Sequence, residues 1–170
     1  MKVLREPKAI AQELAALAAG YPECRFALAV APEEPLRRLL AACRDRVKQI
    51  VIGSDFLKAH PLRLDDWAGD ARMRVVPPRA SGSFHPMLHL FSDPGFRRWA
   101  CLIARPNISG SAFELLGDAP DDETVVVISE QDDPAGWECE RLRKSVERYW
   151  ALGVPAGDAP SPKAKRRPPL

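Results

Sequence analysis

The chain has 170 residues, of which 46% are hydrophobic and 28% charged, with a net charge of +2. That length is one domain able to bury a core without disulfides or a metal, and the composition excludes a disordered protein. The charge is too small to argue for nucleic acid alone, no run approaches the roughly eighteen apolar residues of a membrane-spanning helix, and the opening MKVLREPKAIAQEL lacks signal-peptide character, so a cytoplasmic protein without a membrane partner is expected.

Residues 7 to 20 read as a helix, with Pro7 suited to the first turn, Gly20 to the C-terminal cap, and Ile10, Leu14 and Leu17 on one face. The run 24 to 31 is a short buried strand. Residues 32 to 46 form an amphipathic helix with Leu36, Leu39, Leu40 and Cys43 as its apolar stripe. Glu33 and Glu34 in its first turn and Arg44 and Arg46 in its last suit the helix dipole. KQIVIG, 48 to 53, is a strand whose unbroken apolar character implies cover on both faces, as in a parallel sheet. Residues 54 to 71 hold short helices broken at Pro61, and 71 to 77 is another strand. Residues 77 to 83 are a loop, and strands at 84 to 91 and 98 to 105 form a hairpin around a D-P-G turn. An irregular stretch, 107 to 122, precedes a strand at 124 to 130 and a helix from about Pro134 to Leu152. Trp137, Tyr149 and Trp150 of that helix are expected in the core or a dimer interface.

This alternation predicts an α/β fold: a mixed, mostly parallel sheet of about six strands with helices on both faces. Residues 1–153 form the domain. Residues 154–170, Pro-rich and basic at Lys163, Lys165, Arg166 and Arg167, are expected to be a disordered tail, with contact to nucleic acid or an acidic partner as the second reading. Cys24, Cys43, Cys101 and Cys139 are widely spaced and read as buried free thiols rather than zinc ligands. No cofactor motif is present.

Chemistry concentrates at residues 84 to 107. Period-two alternation puts His85, Met87 and His89 on one strand face, with the two histidines about 13 Å apart, too far to share a metal unaided. Arg79, Arg97, Arg98 and Arg105 surround this stretch in sequence. They either make a basic edge suited to a polyanion or are exposed turn residues.

The segments SGSFHPMLHLF (81 to 91), ARPNISGSAF (104 to 113) and DDETVVV (121 to 127) together resemble the small nuclease-type members of the phospholipase D superfamily. The resemblance covers about residues 20 to 152. It implies a histidine that attacks phosphorus, with two copies of the motif meeting across a homodimer. His85 falls at the nucleophile, Asn107 at the phosphate-binding asparagine and Glu123 at the acidic position. The motif lysine is replaced by Met87 and the motif serine by Arg105, which is the candidate phosphate-binding residue. Three readings follow. One is a degenerate domain retained for binding or assembly in nucleic-acid processing or defence. Another is a metal-independent phosphodiesterase or nuclease using His85, Asn107, Glu123 and Arg105. The last is a likeness of fold alone. The partners expected are nucleic acid and a second copy or a larger complex.

Overall fold

A computed structural model describes residues 1–29, 33–53, 69–77, 86–104 and 124–159, with the side chains of 33–37 and 44 left aside. In chain order these form β1 (Lys2–Leu4), α1 (Pro7–Gly20), β2 (Glu23–Leu28), α2 (Glu33–Cys43), β3 (Val47–Gly53), β4 (Met73–Val76), β5 (Met87–Ser92), β6 (Trp99–Ala104), β7 (Val125–Ser129), α3 (Trp137–Leu152) and β8 (Val154–Pro155). Single 3-10 turns occupy Arg44–Arg46 and Ala156–Asp158.

The strands make one sheet in the order β1-β7-β6-β5-β2-β3-β4-β8. The α/β class and the mixed sheet match the expectation, but strand number and direction do not. Among the described residues eight strands are paired rather than about six, and only β2/β3 and β3/β4 are parallel. The other five pairings are antiparallel. The continuous apolar runs of β5 and β6 are covered on both faces, as a parallel strand would be, yet the tight turn between them reverses the chain. Burial of both faces, not strand direction, is what such runs report.

The tail boundary also moves. Val154 and Pro155 pair with Val75 and Arg74, and Ala156 is buried in the core, so the chain holds to the sheet through Ala159. Residues 160–170, with the basic run, lie outside the described residues.

The core has two halves, one on each side of the sheet. On one side α1 and α2 pack over Phe26, Leu28, Ile50, Ile52, Met73, Val75, Met87 and Phe91. The expected α1 stripe is there, with Ile10, Leu14 and Leu17 all buried. On the other side Cys139, Leu142 and Val146 of α3 pack over Ala27, Leu88, Leu90, Trp99 and Cys101. One row of paired residues crosses every strand on that side: Val3, Val126, Ile103, Leu88, Ala27, Val51, Arg74 and Pro155. Its middle is buried and its β1 end is open, with Val3 at 51% exposure.

Helix α3 starts at Trp137 because the Asp133 carboxylate accepts the free N–H groups of Trp137 and Cys139, both at 3.0 Å. Trp137 itself is 76% exposed, so it is not a core residue. Trp150 lies under the Arg74 guanidinium, 4.5 Å from its ring, and Arg74 also donates to the carbonyl of Trp150 at 3.1 Å. Among the described residues no helix is long and apolar enough to cross a membrane.

Candidate functional site

Strand directions bring six chain ends to one sheet edge. The parallel strands β2, β3 and β4 end there at Leu28, Gly53 and Val76. β5 runs against β2, with Met87 opposite Leu28, so it begins there, and the Ala29 N–H extends the ladder by donating to the Pro86 carbonyl at 2.7 Å. β6 then ends and β7 begins at this edge, where Ala104 faces Val125. The outer carboxyl ends of parallel strands are where ligands bind in open α/β sheets.

His85, Arg105, Asn107 and Glu123 all lie outside the described residues. Their described neighbours are Pro86, Ala104 and Thr124, and all three sit at this edge. Glu123 is bonded to Thr124 in a chain segment far from Pro86 in sequence, so the fold rather than the local sequence brings these attachment points together.

Met87, which the sequence resemblance sets against the motif lysine, is 4% exposed and belongs to the α1/α2 side of the core. A thioether fits that surrounding and an ammonium would not. His89 follows on the same face and is 1% exposed. Its ring meets Phe26 edge-on at 5.7 Å, and Phe26 in turn meets Phe91 at 5.9 Å. Burial pushes the His89 pKa down to about 4 against a weaker raising influence from the Leu102 backbone, so the ring is neutral near pH 7. Its Nδ1 has no hydrogen-bond partner among the described residues. All six residues of β5 are buried, which takes the strand itself out of solvent.

Arg97 and Arg98 do not join the candidate edge. They lie in the β5–β6 turn, at the far end of the sheet and about 17 Å away at the usual rise per residue. Their backbone N–H groups donate to the Asp93 carboxylate, and the Arg98 guanidinium lies 5.5 Å from the Tyr21 ring. At the same end Arg25 donates to Ser92 Oγ at 3.0 Å and to Glu23 at 2.7 Å while stacking over Phe96 at 4.9 Å. Phe96 adopts a left-handed backbone (φ 53°) in that turn. Arg79 and Arg105 lie outside the described residues.

A cleft of about 360 Å³ opens between α1 and the β1/β7 end of the sheet, also away from the candidate edge. Several of its polar groups are paired with each other: Lys2 bridges Glu13 at 2.8 Å and the Met1 ammonium pairs with Asp132. Burial, then the Glu130 charge, raises the Tyr21 pKa. Nothing in the sequence pointed to this cleft, because its walls come from segments far apart along the chain. Among the described residues no three His, Cys, Asp or Glu side chains are grouped to hold a metal.

No protein-family model and no curated protein matches the sequence. Solved structures do match. NucT from Helicobacter pylori superposes with a TM-score of 0.64 at 10% identity, over 91% of this chain and 97% of that one. At that identity the likeness is one of fold alone. TrmBL2, described as an archaeal chromatin protein with a novel mode of DNA binding, superposes with a TM-score of 0.54 at 17% identity. There the match covers 91% of this chain but 53% of the other, so this chain spans about half of that protein. The edge built by Leu28, Gly53, Val76, Pro86, Ala104 and Val125 adjoins, in sequence, the positions His85, Arg105 and Glu123.

Proposed function

We propose that this chain is a phospholipase D-like domain that acts on nucleic acid as a binding or assembly subunit, with a degenerate and catalytically weak or inactive motif, in a homodimer or larger complex. The observation that carries the reading is Met87. The motif position that should present a cation to phosphate is instead an apolar member of the core, 4% exposed. One electrostatic donor aimed at a developing charge is worth about 2.7–4 kcal/mol, and a symmetric site would lose it twice. The DNA-binding description of TrmBL2 supports the nucleic-acid part of the reading.

A second reading is favoured by the convergence of Pro86, Ala104 and Thr124 on one edge. In it the chain is a metal-independent phosphodiesterase. His85 attacks phosphorus and expels the leaving oxygen, Asn107 and Arg105 hold the phosphoryl oxygens, Glu123 orients the histidine, and His85 of a second copy protonates the leaving group.

One pair of measurements separates them. Fluorescence anisotropy with labelled single- and double-stranded DNA should show binding that weakens as salt rises. A phosphodiester reporter in EDTA should show no turnover above a protein-free blank. EDTA-resistant turnover that His85→Ala abolishes would establish the second reading instead. Absence of binding to either DNA form at low salt would sink the nucleic-acid assignment.

A further inference from the structure

Two of the four cysteines are brought together by the fold although eighteen residues separate them in the sequence. Cys24, near the start of β2, and Cys43, the last residue of α2, are both 0% exposed and belong to the same side of the core. Cys24 faces Val47 across the β2/β3 pairing, and a single 3-10 turn joins Cys43 to Val47. The Arg46 guanidinium clamps the two backbones together. It donates to the Ala42 carbonyl at 2.6 Å and to the Tyr21 carbonyl at 3.1 Å, and to the carbonyl of Ala18 as well. Each thiol is the largest influence on the other's ionisation, raising Cys24 and lowering Cys43.

We propose that Cys24 and Cys43 are a reversible thiol–disulfide couple which, when oxidised by a small-molecule disulfide, locks the end of α2 to the start of β2. The Cys43 thiolate attacks one sulfur of the oxidant and releases one thiol, leaving a mixed disulfide. Cys24 loses its proton to solvent, attacks the Cys43 sulfur and releases the second thiol. Two protein thiols are oxidised, one disulfide bond of the oxidant is reduced, and the balance closes. Cys43 suits the first role: hydrogen bonding from Cys24 and the nearby Arg46 charge favour its thiolate, against the desolvation that opposes it. With both sulfurs buried, the reaction waits for α2 to lift from the sheet, so the couple responds to local opening rather than to simple exposure. The closed loop contains most of β2 and all of α2, so the bond should stabilise the fold.

The test is to incubate the whole chain with oxidised glutathione under native conditions, block remaining thiols, and map peptides by mass spectrometry. The expected result is loss of two of the four thiols, no retained glutathione, and a Cys24-to-Cys43 linked peptide. The urea midpoint should rise and fall back after reduction with dithiothreitol. In Cys43→Ser, the Cys24 position should no longer cross-link internally; if that variant fails to fold, the wild-type peptide map alone decides. A Cys101-to-Cys139 linkage, a disulfide between chains, a glutathione adduct that persists on Cys43, or thiols that react only once the chain is unfolded would each overturn the proposal.

Discussion

Replacing His89 with leucine should flatten the acid limb of the stability curve. His89 is neutral, 1% exposed and edge-on to Phe26, with its pKa held down to about 4 by burial, against an ordinary value of 6.5. Between those two values the unfolded chain binds a proton at this site that the folded chain refuses. Stability is therefore intact above about pH 6.5, falls with pH below it, and levels off below about pH 4. The full gap corresponds to about 3 kcal/mol, and about 2 kcal/mol is already lost near pH 5. The assay is urea denaturation of the wild type and His89→Leu at fixed ionic strength, at several pH values between about 7 and 4.5. At about pH 7 the two should differ little, because leucine loses the Leu102 backbone interaction but removes a buried Nδ1 that has no partner among the described residues. Toward pH 5 the variant should gain about 2 kcal/mol on the wild type. Carboxylates titrate in both proteins and cancel in the difference. Parallel curves would refute the reasoning and show that His89 reaches solvent or a partner when it protonates.

Met87→Lys should destabilise the fold by about 3–5 kcal/mol by burying an unpaired charge, and should not raise phosphodiesterase activity; a stable, more active variant would show that the 87 side chain reaches the phosphate. Gly153→Ala should cost about 1–3 kcal/mol in urea midpoint analysis, because a Cβ there would lie 2.7 Å from Arg74 Cβ. Asp133→Ala should cost about 0.5–2 kcal/mol through the α3 N–H groups it leaves unpaired, with faster hydrogen exchange confined to the first turn of α3. Arg74→Met should lower the thermal midpoint by removing the stack on Trp150 and the hydrogen bond to its carbonyl, and Trp150 fluorescence should report the loss.

How much of this was legible in the sequence depended on how local the cause was. The span of helix α1 was readable, because Pro7 sets its first turn and Ile10, Leu14 and Leu17 repeat at helical spacing, though the cap falls at Tyr21 rather than at Gly20. The β5–β6 hairpin was readable from its D-P-G turn, whose Asp93 carboxylate does accept the backbone N–H groups that follow. β1 and β8 were not. At three and two residues they carry no period, and each exists by pairing with residues far along the chain, as Lys2 does with Val127. Sheet direction was misread for a related reason: a hydrophobic run encodes what covers it, and the partner strand's direction is a property of the whole topology. Of the candidate site, the sequence offered His85, Arg105, Asn107 and Glu123, all outside the described residues, and the fold places only their neighbours Pro86, Ala104 and Thr124 at the edge. The separation of Arg97 and Arg98 from that edge was not legible, since closeness in sequence along a hairpin becomes a full strand length in space.

The burial of β5 narrows what the edge can do. In the strand that carries the motif, alternation would let every second residue face a ligand if one face were open. Here neither face is. Met87 and Phe91 pack under α1 and α2, His89 lies against Phe26 between them, and Leu88 and Leu90 pack against the opposite half of the core. From β5 itself, therefore, no side chain between Met87 and Ser92 is open to a ligand at the edge. That restriction gives His85→Ala its weight as an experiment, because the strand that His85 precedes in sequence has no side chain open to a ligand.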